Sequence, residues 1–330
     1  MSLVQRYLAF ITQNHLFNKS DHLLIAVSGG ADSVVLCELC HQAGYTFSIA
    51  HCNFRLRGEE SNRDEAFVRS LAEKYNVPLY VKMVDTTTIA KELKLSIQET
   101  ARKVRYDWFY EILQGKETSS ANQKTPVKPG YILTAHHLDD SIETMLMNFF
   151  KGTGITGLKG IRAKQHKLVR PLLFANKDEI IEFARSAKLT WVEDSSNLEE
   201  KYTRNYFRNT IIPSVEKVFP SVRSNLAENL HRFGDIQKLY AQAIQVHKSK
   251  LIELRSGVIH ISVLKLKKSD PLDTIIFEII KDYGFSSQQV KEVKKLLNAD
   301  TGSYITSATY RILRNRVWLV ISPLQSDEQS

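Results

Sequence analysis

Six residues, Ser28-Gly29-Gly30-Ala31-Asp32-Ser33, put two hydroxyls, two adjacent glycines and a carboxylate into one turn. Those types suit an anion. Paired glycines let the backbone bend tightly and approach a ligand with no Cβ in the way. The free N–H groups of the helix that follows, with the positive end of its dipole, point into the same space. The phosphates of a nucleotide fit there. Asp32 is the odd member, because a carboxylate beside phosphates makes sense mainly with a Mg²⁺ between them. No Gly-Lys-Ser/Thr closes the turn, so it is not a Walker A loop. The competing reading is an ordinary strand-to-helix turn capped by Ser33. Six specified residues directly after an apolar run favour the anion site.

A second cluster is Thr134-Ala135-His136-His137-Leu138-Asp139-Asp140-Ser141-Ile142-Glu143-Thr144. Asp140 and Glu143 are three apart, which on a helix puts both carboxylates on one face. Such a pair holds Mg²⁺ or grips the ammonium of an amine. Simple helix capping would explain acids in a first turn, but not His-His beside Asp-Asp at a strand end. Further along, Arg204-Asn205 and Arg208 follow Glu193-Asp194-Ser195-Ser196-Asn197. Arginines near a reacting phosphate stabilise developing charge.

Other basic positions stay open between phosphate contact and solvated surface. Arg55 and Arg57 flank an apolar residue in His51-Cys52-Asn53-Phe54-Arg55-Leu56-Arg57-Gly58, and Arg102 and Arg105 lie on a helix beside Tyr106. Lys151 precedes Gly152-Thr153-Gly154-Ile155-Thr156-Gly157, a literal G-x-G-x-x-G. This run follows a helix, whereas the dinucleotide fingerprint follows a strand. A backbone that approaches a ligand or RNA is the better reading.

The elements that must position these residues are legible in the hydrophobic pattern. Leu23–Val27 reads as a buried strand and 34–40 as a helix; 45–51 alternates like a strand. A polar helix over 59–75, a strand over 79–84, a helix over 97–113 and a strand over 131–135 follow. Alternation of strands and helices predicts a parallel, doubly wound sheet. Its ligands sit beyond the carboxyl ends of the strands, so Ser28, His51 and His136 should share one rim. Residues 114–130 carry no periodicity and read as a mobile surface loop. Helices are expected at 177–187 and 206–212, with Pro213 as a stop. A long amphipathic segment over 221–254 is interrupted near Gly234. The remainder, 257–322, offers a short strand, helices near 271–283 and 286–298, and a hairpin around Asn315. It reads as a small α+β domain.

Composition sets the remaining bounds. The 330 residues suffice for two or three domains, and no apolar run reaches the roughly 18 residues of a membrane span. The N-terminus lacks the apolar core of a signal peptide. Three cysteines are a sparse, odd set, so a reducing cytoplasm is the default compartment. Cys37 and Cys40 form a C-x-x-C on an apolar helix face, which favours packing over redox or metal chemistry. The net charge of +9 fits a polyanionic partner as well as it fits a basic solvated surface.

Together and in this order, SGGADS, HCNFRLRG, ETARKVRY, HHLDDSIET, KGTGITGLKGI, VRPLL and EDSSN…RNYFR resemble the tRNA(Ile)-lysidine synthetases of the PP-loop ATP pyrophosphatase superfamily. The likeness covers about residues 23–213 and continues beyond only in layout. It implies a PP-loop catalytic domain over 1–215, a helical linker over 216–256 and a small α+β tRNA-contacting domain over 257–330. The implied reaction uses ATP and Mg²⁺ to adenylate the wobble cytidine of a tRNA(Ile) with a CAU anticodon, releasing pyrophosphate. Free L-lysine then displaces AMP. Ser28, Gly29, Gly30, Ala31, Asp32, Ser33, His51 and His136 would contact ATP, Asp32 also placing the metal. Asp140 and Glu143 would bind the lysine ammonium, and Arg204 and Arg208 would steady phosphate charge. Arg55, Arg57, Arg102, Arg105, Lys151 and Asn205 would meet the tRNA.

Ser141 stands where the family usually has Gln, with altered ATP or lysine contacts as the expectation. Many relatives also carry a further domain that grips the acceptor stem, so a short form or a truncated sequence is expected. The oligomeric state is open, a homodimer included. Three rivals remain: a tRNA thiolase, for which the cysteines supply no convincing set; an amidating ligase, for which no ammonia source is evident; and a non-catalytic RNA-binding module, for which the carboxylates have no use.

Overall fold

The structure, a computed structural model, describes residues 1–116, 121–122, 127–193 and 203–324. Two compact units divide the chain between Gly234 and Asp235.

The first unit is laid on six strands: β1 (Leu23–Ala26), β2 (Phe47–Asn53), β3 (Leu79–Met83), β4 (Tyr131–Leu133), β5 (Lys164–Gln165) and β6 (Leu168–Val169). Their order is β3-β2-β1-β4-β6-β5, parallel except for the β5–β6 edge. The chain steps outward from β1 to β2 and β3, then returns to set β4 on the other side of β1. That reversal opens a crevice beyond the strand ends, the usual ligand site of a doubly wound sheet.

Helices cover both faces, which is why the strands read as unbroken apolar runs. On one face Leu23, Ile25 and Ile49 pack with α1 (Leu3–Gln13), α2 (Ala31–Gln42), α3 (Glu59–Tyr75) and α8 (Lys177–Ser186) through Ile11, Leu36, Leu39, Val68, Ile180 and Ala184. On the other, Leu24, Ala50 and Ile132 meet Trp108, Phe109 and Ile112 of α5 (Ile97–Gln114). Between these lie α4 (Thr86–Leu93), α6 (Leu138–Lys151) and α7 (Ile155–Leu158). The α4 helix and the β5–β6 pair were not legible in the sequence, and β2 continues two residues past the expected end. Of residues 114–130, read as a mobile loop, 117–120 and 123–126 lie outside the described residues. Ala121 and Asn122 lie along the outer edge of β3, where the Asn122 amide bonds the Leu79 N–H and the Val77 carbonyl.

After α9 (Thr203–Tyr206) the backbone widens into a π-turn (Phe207–Ile211) that leads into α10 (Ile212–Glu216). Pro213 was expected to stop the helix. It sits instead in the first turn of α10, where its missing N–H costs nothing. Gly234 likewise does not interrupt α11 (Val222–Leu251), since one glycine costs a helix about 1 kcal/mol and this one is outweighed.

The second unit has more strand than expected. Five antiparallel strands, β7 (Ile252–Arg255), β8 (Val258–Ser262), β9 (Tyr304–Thr306), β10 (Tyr310–Asn315) and β11 (Trp318–Pro323), run in the order β7-β8-β11-β10-β9. One face packs through Ile261, Ile312, Leu319 and Ile321 onto α12 (Val263–Lys267), α13 (Leu272–Ile280) and α14 (Val290–Leu296). No helix among the described residues is long and apolar enough to cross a membrane.

Candidate active site

Two segments meet where the sheet reverses. The first leaves β1 and turns at Gly29, whose φ of +98° only glycine adopts without strain. The Gly29 carbonyl accepts from Val192 N–H, which ties the turn to the segment after α8. Gly30 then opens α2. The Ser33 hydroxyl donates to the Gly30 carbonyl at 2.9 Å, and Ser28 Oγ accepts from Gly30 N–H at 3.3 Å. The second segment leaves β4 and opens α6 after His137, whose N–H donates to Asp140 Oδ2 at 3.0 Å.

Between them lies a cavity of about 440 Å³. Ser28, Gly30, Asp32 and Ser33 form one wall, and His136, Asp140 and Arg204 another. Arg102, Arg105, Tyr106 and Phe109 of α5 close a third. Ala26, Ala50 and Cys52 line an apolar slot between the strands and α5. Apolar side chains beside helix-end N–H groups suit a nucleotide. The Cys52 thiol is pushed up to about 12 by burial, and Cys37 is raised well above the usual thiol range. Neither is a thiolate at neutral pH.

The electrostatics centre on His137, which sequence reasoning quoted but gave no role. It is buried, with Asp139 3.3 Å, Asp140 3.6 Å and Asp32 3.9 Å from its ring nitrogens. Burial alone would lower its pKa, but the contact with Asp139 and the charges of Asp140 and Asp32 raise it. Burial likewise works to raise Asp140, yet His137, its N–H and Arg208 hold that carboxyl below its usual value. Asp139, which also accepts from Lys177 N–H and pairs with Arg223, is drawn down to about 2 against burial by His137 and that N–H. His136 goes the other way. Desolvation takes it to about 4, so it is neutral at physiological pH, with Nδ1 2.9 Å from Thr134 Oγ1.

Several expected site residues lie elsewhere. His51 is buried on the opposite face of β2 from Ala50 and Cys52, with Nδ1 2.9 Å from the Val27 carbonyl. Because β2 runs on to Asn53, His51 is inside the strand, and alternation turns its side chain away. Arg57 is committed to Asp64 at 2.8 Å, and Arg55 reaches Met83 Sδ. Lys151 is exposed at the far end of α6, and Asn205 does not line the cavity. Arg102 and Arg105, expected on tRNA, line the cavity itself, stacked on Tyr106 and Phe54. Asp194–Asn197 lie outside the described residues.

Glu143 departs most from expectation. Its side chain is 1% exposed and is held by Arg208, which the π-turn directs onto both Glu143 and Asp140. Arg204 adds a bond to Thr144 Oγ1 and lies 3.8 Å from Asp140. An amine entering the cavity therefore meets Asp140, and Glu143 only where Arg208 moves. Ser141 also has a different task. It is buried, and its Oγ accepts from Ile161 N–H at 2.9 Å beneath the Gly160 turn, away from the cavity.

Lys177 had no sequence signal except its type and place, a cation in the first turn of a helix where the dipole disfavours one. Its ammonium is 2.6 Å from Asp32 Oδ1.

Comparison with known proteins identifies both halves. A PP-loop domain model matches residues 2–215, and a TilS substrate binding domain model matches 254–324. The chain is 40% identical over 326 residues to a tRNA(Ile)-lysidine synthase of Bacteroides thetaiotaomicron, covering 99% of this chain and 73% of that one. A tRNA(Ile)-lysidine synthase of Parabacteroides distasonis is 34% identical, with 97% and 70% covered. Among solved structures, the U34-tRNA thiolase NcsA of Methanococcus maripaludis shares the fold at a TM-score of 0.53 and 16% identity, covering 69% of this chain and 77% of that one. With an anion cradle after β1, a carboxylate cluster after β4 and relatives that match nearly the whole of this chain, the chain belongs to the tRNA(Ile)-lysidine synthase family.

Proposed function

We propose that the cavity between β1 and β4 joins free L-lysine to the wobble cytidine of a tRNA(Ile) with a CAU anticodon, in two steps. ATP-dependent lysidine formation on tRNA(Ile) is the activity of the family to which the chain belongs. The observation that supports this course is the opening of a phosphate cradle and an acid–arginine cluster onto one cavity.

In the first step the C2 oxygen of the cytidine attacks the α-phosphorus, and the bond to pyrophosphate breaks. Ser28, the Gly30 and Ala31 N–H groups and Ser33 hold the phosphates, with the adenine in the slot beside Phe109. Arg204 offsets the charge that moves onto the leaving group, while Arg102 and Arg105, beside the base slot on α5, meet the incoming tRNA strand. Asp32 is the single carboxylate of the cradle. No group of three or more His, Cys, Asp or Glu that would hold a metal occurs among the described residues. This set fits a Mg²⁺ that arrives on the phosphates and takes one carboxylate; it would neutralise pyrophosphate charge.

In the second step the ε-amine of lysine attacks C2, the C–O bond to AMP breaks and AMP leaves, and the proton lost by the amine passes to solvent. Asp140 receives the ammonium and orients it. Glu143 acts through Arg208, keeping that guanidinium over Asp140. Thiol chemistry on the same fold lacks a thiolate here. The second unit supplies a tRNA contact. The expected helical linker of 216–256 is replaced by α11, which ends at Leu251, and by β7, which already belongs to the second sheet. The protein works in the cytoplasm.

The test is pyrophosphate release with purified protein, Mg²⁺, lysine and tRNA(Ile) transcript, each omitted in turn. Release that requires the tRNA, with lysine incorporated into it, supports the reading. Release with another acceptor, or tRNA binding without release, overturns it.

A further inference from the structure

Lys177 takes no part in the scheme above, yet its position is closely fixed. The Asn176 side chain caps α8 by accepting from Glu179 N–H at 2.9 Å, and Lys177 N–H donates to Asp139 Oδ2 at 2.8 Å. Behind that turn, Ile180 and Ala184 are buried in the core shared with α2. The helix start is thus tied to α6 and α2 together, and the lysine stem reaches the first turn of α2.

Stability does not account for the pair with Asp32. A cation at the start of α8 opposes its dipole. The two side chains remain 43% and 30% exposed, so the pair is worth at most about 1 kcal/mol. Its effect is to keep a positive charge against the anion cradle. Asp32 alone would repel a phosphate at the N-terminus of α2, and Lys177 offsets that charge. An ammonium carries three donors on a flexible stem. One serves Asp32, and among the described residues no acceptor takes the others, which leaves them to follow a phosphate oxygen.

Placement says which phosphates. The apolar slot for the base lies against α5, on the other side of the cavity from α2. Asp140 and Arg204, beside the reacting centre, lie between. Lys177 reaches Asp32 from α8, which packs with α2 on the sheet face opposite α5, so it approaches from the side away from the slot without itself lining the cavity. We infer that Lys177 is a further catalytic residue: its ammonium contacts the β- and γ-phosphate oxygens of ATP and stays with pyrophosphate as it leaves. The inference rests on the nucleotide reading of this cavity.

Calorimetric titration of ATP, AMP and pyrophosphate, each with Mg²⁺, into wild type, Lys177→Ala and Lys177→Arg tests it. Loss of a charged hydrogen bond weakens ATP and pyrophosphate binding to Lys177→Ala by about ten- to a hundredfold. AMP, which lacks both phosphates, binds unchanged, and Lys177→Arg keeps most of the affinity. Equal ATP and pyrophosphate affinity in wild type and Lys177→Ala overturns the inference and leaves the nucleotide reading standing. An equal loss for AMP overturns it too, because Lys177 would then act through the shape of the loop. A wild type that binds neither ATP nor pyrophosphate overturns the reading and the inference together. Should Lys177→Ala not fold, as judged by its circular dichroism, Lys177→Gln keeps the stem and gives the same readings.

Discussion

Arg208 closes on Glu143 through two bonds, Nε to Oε1 at 2.6 Å and Nη2 to Oε2 at 3.0 Å, while the same Nη2 lies 2.9 Å from Asp140. One guanidinium thus satisfies two carboxylates, one of them sealed from solvent. Burial still raises the Glu143 carboxyl above its usual value. Removing the arginine strands a buried charge, which costs more than the pair contributes. Arg208→Ala should destabilise the first unit by about 2–3 kcal/mol, read as a fall in the urea midpoint. Glu143→Gln in the same background should recover part of the loss. An additive double mutant would mean that the two side chains do not hold one another.

The two adjacent histidines predict opposite pH dependences. His136 titrates near 4 in the folded protein, chiefly through desolvation, against about 6.5 unfolded. Between those values the unfolded chain binds the extra proton, so stability falls as pH drops from 6.5 to 4, by on the order of 3 kcal/mol. His137 is shifted upward. Its contribution is complete below its unfolded pKa and is lost as pH rises through the folded one. His136→Gln should flatten the acid limb of a stability–pH curve between pH 4 and 6.5. An unchanged limb would show that His136 is solvated in the folded protein.

Much of this site was legible because local chemistry announces itself. Gly29 is needed where φ is +98°, Asp140 caps α6, and the apolar run before Ser28 has to be a buried strand. What was illegible depended on small offsets and on distant partners. Because β2 runs two residues past its expected end, His51 is inside the strand and not at the rim, and alternation turns it away from Ala50 and Cys52. The π-turn at Phe207–Ile211 steers Arg208 onto Glu143 in a way no spacing rule conveys. Lys177 lies 145 residues from Asp32, so only the folded chain pairs them. Arg57 shows the converse. Its sequence context offers a free cation, but Asp64, one helical turn into α3, claims it.

Ser141 yields a packing prediction. A Cβ built on Gly160, where φ is +66°, would come within 2.2 Å of Ser141 Oγ and 2.7 Å of Leu230 Cδ2. Small residues at 141 and 160 therefore let the turn after α7 lie on α6. Ser141→Gln overfills that space and should cost about 1–3 kcal/mol of stability. Its KM for ATP should stay near wild type, because the side chain is not at the cavity wall. A variant of normal stability with a raised KM for ATP would return position 141 to the nucleotide site.

Asp140 separates the two chemical steps. It is the carboxylate that the cavity presents to an incoming ammonium, and it also holds Arg204 and Arg208 in reach. In the first step no ammonium is present, and the cradle at Ser28–Ser33 and the α5 arginines are untouched by changes at position 140. Asp140→Asn keeps the shape and the bond from His137 N–H while removing the charge. Pyrophosphate release should therefore continue, slowed by less than about tenfold. Lysine transfer should fall by about a hundredfold or more, with the KM for lysine raised, since a lost charge-assisted contact in a dry site costs about 3 kcal/mol. Single-turnover assays that follow labelled lysine and pyrophosphate in parallel would show the split. Equal losses in both steps would instead place Asp140 among the groups that bind the nucleotide.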